Sequence, residues 1–573
     1  VVHGATAKDV TIKIDTSAER KPISPYIYGT NQYTTDLAGD VNVTARRLGG
    51  NRMTGYNWEN NMSNAGSDWY HSSDNYLCWN GGVTKEECSK PAAVVTSFHD
   101  QSLKNGAPYS LVTLQMAGYV SKDGNGRSKL ASFTVSESET APSARWNEVK
   151  FAKNAPFSLQ PDLNDNNPND ANTLVDYVYM DEFVNYLVNK YGTASTPTGI
   201  KGYSLDNEPA LWSHTHPRIH PEKVTAKELI DKSVELSKAV KKVDPSAEIF
   251  GPALYGFGAY TLSGYDLQDA GQHPDWNSVK SKGNYGSWDF IDYYLDQMKK
   301  ASDEEGKRLL DVLDVHWYPE ARGGGIRICF DGENVTNIET NKARMQAPRT
   351  LWDPTYKTSV KGQITAGEDS WIGQWNSEFL PILPRLKQSI DKYYPGTKLA
   401  ITEYSYGGEN HISGGIAQAD VLGIFGKYGV YMATYWKLKD GSNNYVSAAY
   451  NLYRNYDGKG SKFGDTSVSA QTSDIENSSV YASVTGEDDS ELHIIVMNKN
   501  YDSAFNAQFD LRSSTKTYTS GKVWGFDSNS SQITERAPIT NISGNRFTYT
   551  VPALTAYHIV LTADNDTSPV PPV

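Results

Sequence analysis

Eight short apolar runs, separated by amphipathic stretches and long polar loops, leave this chain few ways to fold. They span 26–31, 45–51, 110–116, 200–208, 248–254, 312–318, 399–404 and 431–438. Between them, helical periodicity marks 92–104, 180–191, 225–243, 288–301, 379–394 and 416–428. The helix at 225–243 is the plainest: Thr225 and Glu228 have capping-box spacing, and Leu229, Leu236, Val240 and Val243 follow on one face. Strands alternating with helices imply right-handed crossovers and a parallel sheet, and eight such units close a (β/α)8 TIM barrel. The rival, an open doubly wound sheet that binds a nucleotide, needs a glycine-rich phosphate turn after its first strand, and this chain offers none there.

The remaining sequence has a different texture. Residues 480–485, 492–498, 505–511, 523–526, 547–551 and 556–561 alternate apolar and polar with turn residues between, which predicts a smaller antiparallel β-sandwich. An isolated alternating run, 9–15, is expected to pair there and bring both ends of the chain into one domain. The expected organisation is strand residues 1–24 joining the sandwich, a catalytic barrel over 25–457, the sandwich over 458–563, and a Pro/Thr/Ser linker over 564–573 that points to a larger modular protein.

Composition excludes several function classes. A net charge of -13 with scattered basic residues argues against nucleic acid as partner, and no apolar run is long enough to cross a bilayer. The supply of 37 tyrosines and 13 tryptophans suits sugar faces, although most of these rings are expected to fill the core. Cys78 and Cys88 are close enough for a small loop-closing disulfide or are free thiols; with Cys329 they match no zinc pattern.

The chemistry concentrates at two strand ends. The run 202–209 ends in Asn207, Glu208 and Pro209, and the run 398–404 delivers Glu403. Pro209 cannot continue a ladder, so Glu208 is expected where the fourth barrel strand opens into a loop, with Glu403 at the end of the seventh. The carboxyl ends of barrel strands carry catalysis, so two carboxylates placed this way are expected to face one cleft and cleave a glycosidic bond. Glu208 is read as the protonated acid/base and Glu403 as the ionised nucleophile. The alternatives are a non-catalytic glycan-binding protein, or a different barrel enzyme using a Schiff-base lysine or a histidine-bound metal, for which no residue stands out at the strand ends.

Asn207-Glu208-Pro209 together with Thr402-Glu403-Tyr404 resembles the catalytic strand ends of the retaining (β/α)8 glycosidase clan. More narrowly, 48–60, 64–69, Val315-His316-Trp317-Tyr318-Pro319 and Tyr435-Trp436-Lys437 are similar to glycoside hydrolase family 44. The resemblance implies an endo-acting, retaining β-1,4-glucanase acting on cellulose, carboxymethylcellulose, xyloglucan or related glucans, with xylan or mannan preference as the alternative within the clan; the linker at 564–573 makes a secreted enzyme the expectation. It implies no cofactor for the chemistry, and open access for a polymer favours a monomer.

Further residues are assigned around the two glutamates. Asn207 is expected to bond a sugar 2-hydroxyl, and Arg46 to sit beside Glu403 and favour its charged form. His316 and Tyr318 share a strand face, so His316 can touch sugar hydroxyls and the Tyr318 hydroxyl can donate to Glu403. Trp436 is expected to floor the reacting subsite, with Trp58, Trp69, Trp317 and Trp375 as further platforms. The Asn/Asp-rich stretch 162–170 offers Asp162, Asp165 and Asp170, with Glu59 nearby in expectation, as oxygen ligands for a structural calcium; turn formation is the competing role.

Overall fold

The computed structural model describes residues 7–31, 42–124, 140–141, 149–158, 177–261, 288–334, 337–438, 444–513 and 515–564. Eight strands form a closed, all-parallel barrel in sequence order: β1 (Tyr26–Asn31), β2 (Ala45–Leu48), β3 (Tyr109–Leu114), β4 (Gly202–Leu205), β5 (Glu248–Leu254), β6 (Val312–Trp317), β7 (Lys398–Tyr404) and β8 (Met432–Tyr435). Each is almost wholly buried, because one face meets the barrel interior and the other the surrounding helices. Those helices include α1 (Ala93–Lys104), α2 (Met180–Tyr191), α3 (Ala226–Val243), α4 (Asp289–Glu305), α5 (Ile382–Tyr393), α6 (Ile412–Lys427) and α7 (Tyr445–Arg454). Half of the capping box predicted at α3 forms: the Glu228 N–H donates to Thr225 Oγ1 at 3.0 Å, while the Glu228 carboxylate turns to His220 (2.6 Å) and Lys232 (2.8 Å).

The amino end of the barrel is plugged. Ala45, Tyr109, Leu111, Phe250, Val312, Ala400 and Met432 form one apolar layer inside it. Below them Glu248 accepts hydrogen bonds from the hydroxyls of Tyr109 (2.8 Å) and Tyr431 (2.6 Å). The opposite end carries the long loops. One of them, 57–82, leads into a disulfide between Cys78 and Cys88.

The second domain is a ten-stranded sheet rather than a purely antiparallel one. Its N-terminal strand, Lys8–Asp15, runs antiparallel to Thr466–Thr472 but parallel to Phe505–Arg512. Parallel neighbours have no hairpin signal between them, so the sequence pattern alone favoured antiparallel pairing. This sheet packs on α6 and α7. Lys499 and Asp420 of α6 form an ion pair of 2.9 Å, each side chain 1% exposed, and Tyr481 donates to the same carboxylate.

Candidate active site

Two strand ends are bent away from regular geometry, and each bend aims a carboxylate. After β4 the chain turns through Asp206 and Glu208, both at positive φ (63° and 42°). Side chains other than glycine seldom adopt this conformation, least of all before a proline. Asp206 holds the turn from within: its carboxylate accepts from the Asn207 N–H (2.7 Å), the Met116 N–H (2.8 Å) and Thr54 Oγ1 (2.7 Å). The Glu208 N–H donates to Ala253 O at the end of β5. At β7 the register against β6 shifts, Val315 facing Ile401 and His316 facing Glu403, so Thr402 is the extra residue of a bulge. Strict alternation would turn Glu403 away from Thr402's side. The bulge brings both toward the barrel mouth.

One oxygen of Glu208 and one of Glu403 consequently lie within 4.8 Å of each other and of a His316 nitrogen. Both acids line a cleft of about 660 Å³ that Tyr255, Trp317, Phe330, Trp371 and Trp436 also border. Glu403 is gripped at both oxygens: Tyr318 donates to Oε1 at 2.7 Å and Arg47 Nη1 to Oε2 at 2.8 Å. Burial and the carboxylates of Glu403 and Glu208 push the Tyr318 hydroxyl well above the ordinary tyrosine value, so it remains a donor. The Glu208 side chain is 13% exposed, on the cleft. Burial raises its pKa to about 7, with Asp68 adding to the effect and Arg47 opposing it.

Several expectations change at this site. The arginine on Glu403 is Arg47, not Arg46. Neighbouring strand residues point to opposite faces, and Ala45 already occupies the interior, so Arg46 points outward. There its Nη1 donates to Phe98 O (2.7 Å) and Ser102 Oγ (2.9 Å) of α1. Trp58 is no platform: it is fully buried, stacked on Phe183 with centroids 5.3 Å apart, and bonded to Tyr179 O. His316 is also fully buried, behind Glu208 rather than open to sugar. Asn207 is 2% exposed, its Oδ1 accepting from Arg47 and its Nδ2 donating to Asn51.

Trp317, Tyr318 and Trp436 do border the cleft, and Trp69 and Trp375 stand half-exposed outside its lining. Of the calcium candidates, Asp162, Asp165 and Asp170 lie outside the described residues, as does most of the linker at 564–573. Sequence reading missed Asn31, Asp206, Asp314 and Thr402, and the cleft residues Asp68, Tyr255, Arg327, Phe330 and Trp371. Asp314 carried a usable signal, because it continues the alternating face of His316 and Tyr318.

The chain as a whole is similar to known proteins. A family model described as glycoside hydrolase family 44 matches residues 62–321. An endoglucanase A of Paenibacillus lautus is 65% identical over 566 residues, covering 99% of this chain and 74% of that protein. A β-mannanase/endoglucanase A of Caldicellulosiruptor saccharolyticus is 63% identical over 98% of this chain, which spans 39% of it. Among solved structures, a Paenibacillus polymyxa family 44 xyloglucanase with xyloglucan is 71% identical, with a TM-score of 0.83 over 97% of this chain and 100% of that one. These matches cover nearly the whole of this chain, barrel and sheet domain together, and at such identity the conclusion is direct: this chain belongs to glycoside hydrolase family 44.

Proposed function

We propose that the chain is an extracellular, endo-acting, retaining β-1,4-glucanase for cellulose-type and xyloglucan-type chains, with Glu208 as acid/base and Glu403 as nucleophile. The observation that carries this reading is the approach of the two carboxyl groups, an oxygen of each within 4.8 Å. Double displacement uses a pair about 5–5.5 Å apart, whereas inversion needs about 6.5–9.5 Å to admit a water. In the first step Glu403 attacks the anomeric carbon while Glu208 gives its proton to the departing glycosidic oxygen. In the second, the Glu208 carboxylate takes a proton from water, whose oxygen displaces Glu403 from the sugar. Arg47 and Tyr318, one on each oxygen of Glu403, orient the attacking carboxylate. The cleft aromatics suit pyranose faces.

The substrate class follows relatives named endoglucanase and xyloglucanase. An extracellular site of action accords with the Cys78–Cys88 bond, since disulfides persist in oxidising surroundings. Both curated relatives are longer than this chain, in keeping with a module of a larger protein, and the open access that a polymer needs favours a monomer. Glu208→Gln and Glu403→Gln are each expected to lower turnover of a soluble β-glucan by at least about 10²-fold, with the fold intact. Proton NMR of early products should show the β anomer first; the α anomer first overturns retention.

A structural calcium near Glu59 belongs to the same reading. Glu59 Oε1 is buried without a hydrogen-bond partner among the described residues, and burial with the nearby Glu182 carboxylate raises this acid to about 8. A cation would replace the proton that the site otherwise demands. Chelation is expected to lower the melting temperature, and an unchanged Tm counts against the ion.

A further inference from the structure

Behind Glu208 runs a chain of buried groups that double displacement leaves without a task. His316 Nδ1 lies 2.8 Å from Glu208 Oε2, His316 Nε2 lies 3.1 Å from Thr402 Oγ1, and Thr402 Oγ1 lies 2.6 Å from Asp314 Oδ1. Thr402, His316 and Asp314 are fully buried and meet one another at direct hydrogen-bond distances. We propose that Asp314 and Thr402 are positioning residues that hold His316 as its Nε2–H tautomer, leaving Nδ1 able to accept a hydrogen bond from Glu208 only while Glu208 carries its proton. The proposal rests on the acid/base reading of Glu208.

Proton counting carries the argument. A threonine hydroxyl has one hydrogen, and a carboxylate is the stronger of its two available acceptors. The 2.6 Å contact therefore takes the Thr402 hydrogen to Asp314. Thr402 Oγ1 can then only accept from the ring, which requires hydrogen on Nε2. Burial lowers the His316 pKa to about 3, so the ring is neutral and its Nδ1 is bare. Facing it, an ionised Glu208 presents acceptor to acceptor, whereas a protonated Glu208 completes the bond. The same arrangement serves both steps. It retains the proton until the leaving oxygen claims it, and it then leaves the Glu208 carboxylate without a donor from His316, a better base toward water.

Other charged and titratable groups face this chain. Arg47 acts on Glu208, Asp314 and His316, pulling the two acids down and opposing the charged ring; Glu403 lies 3.7 Å from His316 Nδ1 and raises Asp314. Asp68 faces Glu208, with the phenols of Tyr255 and Tyr318, while those of Tyr260 and Tyr294 face Asp314. Burial raises Asp314, like Glu208, to about 7, so the two ends compete for one proton. The proposal assigns that proton to Glu208, with Asp314 kept as the carboxylate to which the side chain and backbone of Thr402 donate.

The test uses the whole chain. Nitrogen-15 NMR, with the His316 signals assigned by their loss in His316→Gln, is expected to show hydrogen on Nε2 in the wild type. Thr402→Val, which removes the hydroxyl, should lose that preference and move the alkaline limb of kcat/KM down by about one pH unit, the scale of one hydrogen bond. Thr402→Ser, which keeps the hydroxyl, should restore both. An Nδ1–H tautomer in the wild type overturns the proposal. So does a folded Thr402→Val variant whose alkaline limb stays in place. The tautomer is read without turnover, so it stands or falls separately from the role of Glu208, which Glu208→Gln kinetics decides.

Discussion

Gly49 sits against the Arg47 guanidinium so closely that an added Cβ would meet its Cζ at 2.3 Å. Arg47 has nowhere to retreat: it is fully buried, and it donates to Asn31, Glu403 and Asn207. Gly49→Ala is therefore expected to push the guanidinium off Glu403. A hydrogen bond to a charged group contributes about 1.5–3 kcal/mol, so kcat should fall roughly 10- to 100-fold, as read by steady-state kinetics. Arg46→Met supplies the contrast, because its guanidinium packs over Phe98 outside the barrel; it should lower Tm and leave kcat per folded molecule near wild type. Neither arginine differs from the other in the sequence except by one position. That position decides everything, since one residue along a strand reverses the face.

At the scale of elements, local signals were good where a segment answers to its own pattern. The α3 N-cap at Thr225, the barrel strands and the helix at Met180–Tyr191 all lie where period and punctuation place them. They failed where an element answers to a neighbour. The bulge at Thr402 exists only in the register between β6 and β7, and the parallel pairing of Lys8–Asp15 joins segments nearly five hundred residues apart. The Asp420–Lys499 pair is of the same kind, joining α6 to the sheet domain. Removing one member of a buried pair strands the other, at a cost of about 3–5 kcal/mol. Lys499→Met should lower the denaturation midpoint accordingly while the activity of folded molecules persists; a midpoint within error of wild type would show that the two domains do not depend on this contact.

Across the whole molecule, burial of ionisable groups near the barrel mouth ties stability to pH. Glu208 and Glu368 are both raised to about 7, against unfolded values near 4, so folding favours their protonated forms. Their contribution is complete below about pH 4 and is lost as pH rises through 7. His216 and His316 are lowered to about 4 and about 3, so their contribution is complete above about pH 6.5 and is lost as pH falls through those values. Above pH 6.5 only the carboxyl groups still change, so Tm should fall between pH 6.5 and 8.5, and fall less in Glu208→Gln, by calorimetry. Eight strand–helix units, two glutamates at strand ends and a separate alternating tail were determined by the sequence itself, because period, capping and proline act over a few residues. Which arginine meets Glu403, how Thr402 and Glu403 come to face one mouth, and why a histidine stands behind Glu208 were decided only in the tertiary structure. Those facts depend on the register between strands that the chain brings together from afar.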